Sequence, residues 1–191
     1  GPEGGIGNLA VPSKPAAAFD APAVVAEAGF RGLRLSGENG VRFPGTGEFH
    51  ATDPFTISLG LRLPGILDRA VVLHRSRAWT DAGSQGYQLL VEDGRLTFAL
   101  VHFWPGDAAA VRTSERLPVG RRVEVTVSSD GSGTAGGLRI HLDGGPVRTD
   151  VVRDSLRHGI TGGGDLVLTL GQRFRDRGFK DGEVDRLRVY A

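Results

Sequence analysis

Residues 166–190 read LVLTLGQRFRDRGFKDGEVDRLRVY, two extended segments joined by a loop dense in arginine, lysine and phenylalanine. Side chains of a strand alternate between its faces. Asp185, Leu187 and Val189 therefore share one side of the second segment, and Val184, Arg186, Arg188 and Tyr190 the other. That places Asp185 among apolar residues. A bare buried carboxylate costs on the order of several kcal/mol, so it must be hydrogen-bonded, paired or metal-bound. We read Asp185 as accepting hydrogen bonds from the amides of a neighbouring loop. The alternative is a structural calcium ion, which takes roughly six or more oxygens and for which Asp20 is the one obvious distant helper. Two strands with a decorated loop between them predict an all-β sandwich that binds through its loops.

The same period of two recurs outward from this hairpin. Phe55, Ile57, Leu59, Leu61 and Leu63 alternate with Thr56, Ser58, Gly60 and Arg62, and the sets Val123, Val125, Val127 and Leu138, Ile140, Leu142 repeat the pattern. Shorter strands are expected at residues 32–35, 41–43, 70–75, 87–92 and 96–103. Asp93-Gly94 and Asp143-Gly144 are dipeptides suited to tight hairpins, whose central residues take positive φ. One helical turn is expected at 152–158, and no other segment sustains a 3.6-residue period. Short strands, glycine turns and no internal repeat predict a single jelly-roll domain over residues 16–191, two packed antiparallel sheets rather than a propeller. Residues 1–15, small and glycine-rich, read as a flexible lead-in, with Gly1-Pro2 the remnant of a cleaved tag.

Composition narrows the function classes. The 191 residues include 30 glycines, no cysteine and no methionine, and carry a net charge of +1. Without cysteine there are no disulfides, thiolate metal sites or covalent haem. The absence of methionine fits an excised internal segment. So weak a charge provides no global field for nucleic acid, and no apolar run approaches the ~20 residues that span a bilayer. Neither nucleic-acid binding nor membrane insertion is expected. Because the start looks like a tag remnant, the missing secretion signal carries no information about location.

Several segments resemble the concanavalin A-like, laminin G-like jelly roll: LRLSGENGVRFP (33–44), DPFTISLGLRL (53–63), SSDGSGTAGGLRIHLDGGPV (128–147) and DGEVDRLRVY (181–190). More narrowly, residues 70–108 with LGQRFRDRGFKDG (170–182) resemble the laminin G-like segment of large planctomycete proteins that carry c-type cytochrome regions. That resemblance implies an exported bacterial protein, periplasmic or at the cell surface, in which this domain is a non-catalytic binding module. In one place the chain departs from the pattern: Arg121 and Arg122 precede Val123 where the superfamily often has tryptophan. A ligand mode that depends on that aromatic is thereby put in doubt. The fold serves lectins, glycosidases and adhesion modules alike, so it does not name a ligand.

Candidate ligand-contacting residues come from the loops. Trp79 lies in a polar, glycine-bounded stretch and Trp104 precedes Pro105-Gly106; an aromatic face against a sugar ring plus a few polar groups makes a saccharide site. Each tryptophan could equally cap the core. Arg173, Arg175, Arg177 and Lys180, interleaved with Phe174 and Phe179, form the densest cationic loop, and Arg75 and Arg77 precede Trp79. Guanidinium groups suit a uronate or sulfated glycan, whereas Asp176 and Asp181 offer an internal pairing instead. We take Trp79, Trp104, Tyr87, His74, Arg75, Arg173 and Arg175 as the expected ligand-binding set. His102 is read as an edge histidine. His50, His141 and His158 lack metal-ligand spacing, so no zinc site is expected. No cofactor is expected beyond the calcium alternative. Glu183-Val184-Asp185 is only a fragment of a glycosidase acid pair, so no catalytic residue is assigned. The expected function is non-catalytic polysaccharide binding. The alternatives are a module that packs against neighbouring domains of its parent protein and, with less support, a glycosidase or lyase.

Overall fold

The computed structural model describes residues 6–27, 30–79, 82–162, 164 and 166–191, with backbone alone for Phe30, Trp79, Ala82 and Gly83. Among these residues the strands are, in chain order, β1 (Ala17–Phe19), β2 (Ala23–Glu27), β3 (Phe30–Arg34), β4 (Gly40–Phe43), β5 (Pro54–Arg62), β6 (Arg69–Trp79), β7 (Ala82–Glu92), β8 (Arg95–Phe103), β9 (Asp107–Thr113), β10 (Arg122–Asp130), β11 (Leu138–Leu142), β12 (Gly145–Pro146), β13 (Thr149–Asp154), β14 (Leu168–Leu170) and β15 (Glu183–Tyr190). An eight-stranded sheet has the order β1-β4-β14-β6-β7-β8-β9-β13 and a seven-stranded sheet the order β12-β11-β10-β5-β15-β3-β2. All pairings between named strands are antiparallel. The fold is the expected two-sheet sandwich of jelly-roll type. The one helical piece among the described residues is a single 3-10 turn, Ala135–Gly137, so no helix is long and apolar enough to cross a membrane.

The alternating residues do what their spacing predicts. Phe55, Ile57, Leu59, Leu61 and Leu63 of the β5 segment meet Val123, Val125 and Val127 of β10 and Leu89, Val91, Leu96, Phe98 and Leu100 of the facing sheet in one core. Phe49 and Phe55 stack at 4.3 Å, and Tyr87 and Phe98 pack on Phe55. At the β7–β8 hairpin Asp93 and Gly94 take φ of 50° and 71°, the paired positive values that join right-twisted strands.

Two expectations are corrected. Residues 152–158 hold no helical turn: β13 runs to Asp154 on the edge of β9, whose ladder of unmade hydrogen bonds outweighs a weak local preference. Within the lead-in, the buried Asn8 donates to the Lys14 and Pro44 carbonyls and accepts from the Val11 amide and Thr46 hydroxyl. Finally, β15 breaks its own alternation. A bulge between Asp185 and Arg188, with Arg186 at φ 48°, puts Val184, Leu187 and Val189 together on the core. Asp185 is turned to the outer face, where it is held by arginines rather than loop amides.

Candidate functional site

The outer face of the eight-stranded sheet carries a row of cross-strand neighbours, Arg42, Thr169, His74, Gln88, Ala99 and Ala110, from β4 to β9. The cationic loop folds over this row, anchored by the Gly171 amide on the Val72 carbonyl and the Val71 amide on the Arg177 carbonyl. Phe179 is drawn into the core. Arg173, 1% exposed, donates to Gln88 Oε1 at 2.6 Å, to Ser76 Oγ at 3.3 Å and to Asp176 Oδ2 at 2.5 Å. Asp176 also accepts two hydrogen bonds from Arg69, at 2.8 and 2.9 Å. Arg69 in turn reaches Glu92, which binds Arg112. Burial works to raise the Asp176 carboxyl, but hydrogen bonds and charge from Arg69 and Arg173 outweigh it and hold it at about 2. The internal pairing is thus realised for Asp176 and Arg173.

His74 is buried beside this network. Burial first, and the Arg173 guanidinium second, push its imidazole down to about 3, so it is neutral. Nε2–H donates to the Gln172 carbonyl at 3.1 Å and Nδ1 lies 3.2 Å from the Ser76 hydroxyl.

Next to the buried network lies open space. A cleft of about 320 Å³ is lined by Arg42, His74, Ser76, Ala78, Thr169, Gln172, Arg173 and Phe174, with Leu166 and Val167 as its apolar wall. Phe174 is 67% exposed and carries the Arg175 guanidinium 5.3 Å from its ring centre. Arg175 holds this pose from a left-handed backbone, φ 59°. A second cleft, about 340 Å³, shares Ala78 and continues past Arg77, Ser84 and Gln85 to His102 and Phe103. Phe103 is half-exposed. Among the described residues no carboxylate lines either cleft, so the groove that the two make across Ala78 is lined by arginines and has a phenylalanine near each end.

The seven expected residues divide accordingly. His74 and Arg173 line the groove and Arg175 stands at its rim on Phe174. Tyr87 and Arg75 point to the other side of the sheet. Tyr87 is a core residue that donates to the Gly47 carbonyl, and Arg75 is buried and paired with Glu48. In this structure neither can touch a surface ligand. Trp104 is half-buried over Ala99, Val101, Ala108 and Ala110, with Arg153 5.5 Å from its ring, and so caps a small outer cluster. The side chain of Trp79 lies outside the described residues. Phe174, Phe103, Arg42 and Gln172 were missed as groove residues. The arginine–phenylalanine–arginine run at 173–175 was the available signal for the first of them.

The seven-stranded sheet's outer face is different. Glu183 is gripped by Arg34 and Arg62, and Arg62 also by Glu27. Asp185 accepts from Arg122 Nε and Nη2 at 2.9–3.1 Å and from Arg186, and Arg122 and Arg188 both reach Glu124. Gly60 makes this possible, because a Cβ there would lie 1.6 Å from Asp185 Oδ1 and 2.2 Å from Arg122 Nη2. A cleft of about 490 Å³ opens where the bulge parts β15 from β3; apolar Ile6, Val24, Leu33, Phe43, Leu59 and Leu187 line it together with Arg31, Asp185 and Arg186.

Two packed antiparallel sheets make a jelly-roll sandwich, and one outer face carries clefts lined by arginine and phenylalanine. The chain belongs to the concanavalin A-like lectin/glucanases superfamily, whose Laminin_G_3 model matches residues 35–191. No curated protein sequence matches it. Among solved structures, the chain is similar to domain 4 of AbnA, a GH43 extracellular arabinanase from Geobacillus stearothermophilus in complex with arabinotriose: TM-score 0.59, 15% identity, 92% of this chain and 82% of that one. It is also similar to the binding domain of Paraclostridial Mosquitocidal Protein 1, with TM-score 0.68, 14% identity, and coverage of 95% and 45%. A third similar structure is that of botulinum neurotoxin type C, described with two ganglioside molecules, with TM-score 0.60, 14% identity, and coverage of 93% and 43%. The chain thus spans less than half of the toxin chains it matches. At such identities these likenesses speak for the fold.

Proposed function

We propose that this domain is a non-catalytic carbohydrate-binding module that holds a larger exported protein on a polysaccharide, acidic glycans being favoured. The observation that carries this is the groove on the eight-stranded sheet: Phe174 and Phe103 are exposed along it, and Arg42, Arg77 and Arg175 stand beside them, with no carboxylate among the described lining residues. Aromatic faces with a few polar groups suit a saccharide, and guanidiniums suit its carboxylates or sulfates. The arabinotriose bound to the arabinanase domain and the gangliosides of the type C toxin support a saccharide as the ligand class. The domain's place within a periplasmic or cell-surface multi-domain cytochrome-type protein belongs to the same proposal, on the resemblance of residues 70–108 and 170–182. A glycosidase role is disfavoured because Glu183 and Asp185, the nearest thing to an acid pair, are each clamped by two arginines.

The test is affinity electrophoresis and calorimetry of the purified domain against neutral and acidic polysaccharides, with and without calcium. Saturable binding that weakens in Phe174→Ala and Arg175→Ala is expected; binding to none of the panel overturns the reading. The second reading, docking onto neighbouring domains, is favoured by one feature, the apolar cleft between β3 and β15 with Val24 64% exposed beside it. Affinity for adjacent parent domains, lost in Val24→Asp, would carry that reading instead.

A further inference from the structure

We infer that His102, Asp107 and His158 form a site for a divalent transition metal of the zinc class. The three come from separate pieces of chain: the end of β8, the start of β9, and the loop after β13. One donor atom from each lies within 4.8 Å of the others. The two imidazole rings are 5.0 Å apart.

Each residue is already oriented by a second partner. His102 Nδ1–H donates to the Gly159 carbonyl at 2.7 Å, which fixes the neutral tautomer and leaves Nε2 with its lone pair. Metal-bound histidines are held in just this way by a backbone carbonyl on the other ring nitrogen. Asp107 Oδ1 accepts from the Arg157 amide at 2.7 Å and more weakly from the His158 amide at 3.4 Å. Its Oδ2 faces His158 Nδ1 at 2.5 Å. Ligands on a tetrahedral ion with bonds of about 2.0–2.1 Å lie roughly 3.3 Å apart, so the cluster must contract by about 1.5 Å at most. The His158 side chain, 68% exposed, is free to turn and close it, exchanging its hydrogen bond to Asp107 for the metal.

Two imidazoles and one carboxylate select zinc and its transition-metal neighbours over calcium and magnesium, which prefer oxygen ligands alone. Three protein ligands leave a coordination position for water or for an oxygen of a bound ligand. The ion would fasten the loop at 157–159 to the β8–β9 hairpin, and His102 also lines the second cleft. The site stands independently of the saccharide reading.

Chelator-stripped protein is titrated with Zn²⁺ by calorimetry and with Co²⁺ by visible absorption. One equivalent should bind, with tetrahedral Co²⁺ bands, and calcium in excess should not compete. His102→Ala and His158→Ala should each weaken Zn²⁺ binding by about 100-fold or more, beyond the cost of losing an outer-sphere partner. Zn²⁺ should raise the melting temperature of the wild type only. His158→Ala, at an exposed position, keeps the test valid if His102→Ala fails to fold. Absence of one-equivalent binding in the wild type, or equal Zn²⁺ affinity in His158→Ala, overturns the inference.

Discussion

The two outer faces of the sandwich are both rich in arginine and differ in what the arginines do. On the seven-stranded sheet Arg34, Arg62, Arg122, Arg186 and Arg188 each meet a carboxylate, so the charges around Glu183 and Asp185 are closed on themselves. On the eight-stranded sheet Arg173 is consumed by Asp176 and Gln88, whereas two residues away Arg175 lies on an exposed phenylalanine and makes no ion pair among the described residues. Charge density in a sequence therefore says little about binding. What matters is whether the carboxylates arrive on the same face, and the strand register decides that.

The largest expected effect breaks the closed part of the network. Asp176→Asn keeps the shape but strands Arg173 in a buried position, and should cost about 3–5 kcal/mol of stability by urea denaturation. Next comes acid. The unfolded chain protonates His74 near its ordinary 6.5, while the folded state resists until about 3. Stability from this group is therefore complete above pH 6.5 and is lost as pH falls through that window, by at most about 1.4 kcal/mol per pH unit. His74→Asn should flatten the slope of urea midpoint against pH. On the opposite face, Gly60→Ala forces apart Asp185 and Arg122 and should cost about 1–3 kcal/mol, with glycan affinity unchanged. Phe174→Ala should move stability by no more than about 0.5 kcal/mol, yet weaken polysaccharide binding about tenfold. A loss of stability with binding retained in Phe174→Ala would erase the contrast between the faces.

The sandwich was legible because its determinants are local. Alternation in β5, β10 and β11 and the Asp-Gly turns act within a few residues, and each strand needs only to know which side is apolar. Asp185 was misplaced because the bulge at Arg186 has no local signal: a non-glycine residue takes a positive φ there, and the parity of all that follows is inverted. Tyr87 and Arg75 were drawn to the surface by their polar ends, but as cross-strand neighbours they turn to the inner side of the sheet together. The His102, Asp107 and His158 cluster depends on a loop that returns some fifty residues later to the end of β8, a long-range contact that spacing cannot reveal.

The central claim is that a glycan is read on the eight-stranded face. Titration of ¹⁵N-labelled domain with a uronate oligosaccharide, followed by amide shifts, tests it most directly. The account predicts saturable shifts at residues 42, 76–78, 84–85, 103 and 172–175, reached only at about tenfold higher ligand concentration in Phe174→Ala. Shifts gathered instead around Arg34, Arg62, Arg122 and Glu183 would contradict it.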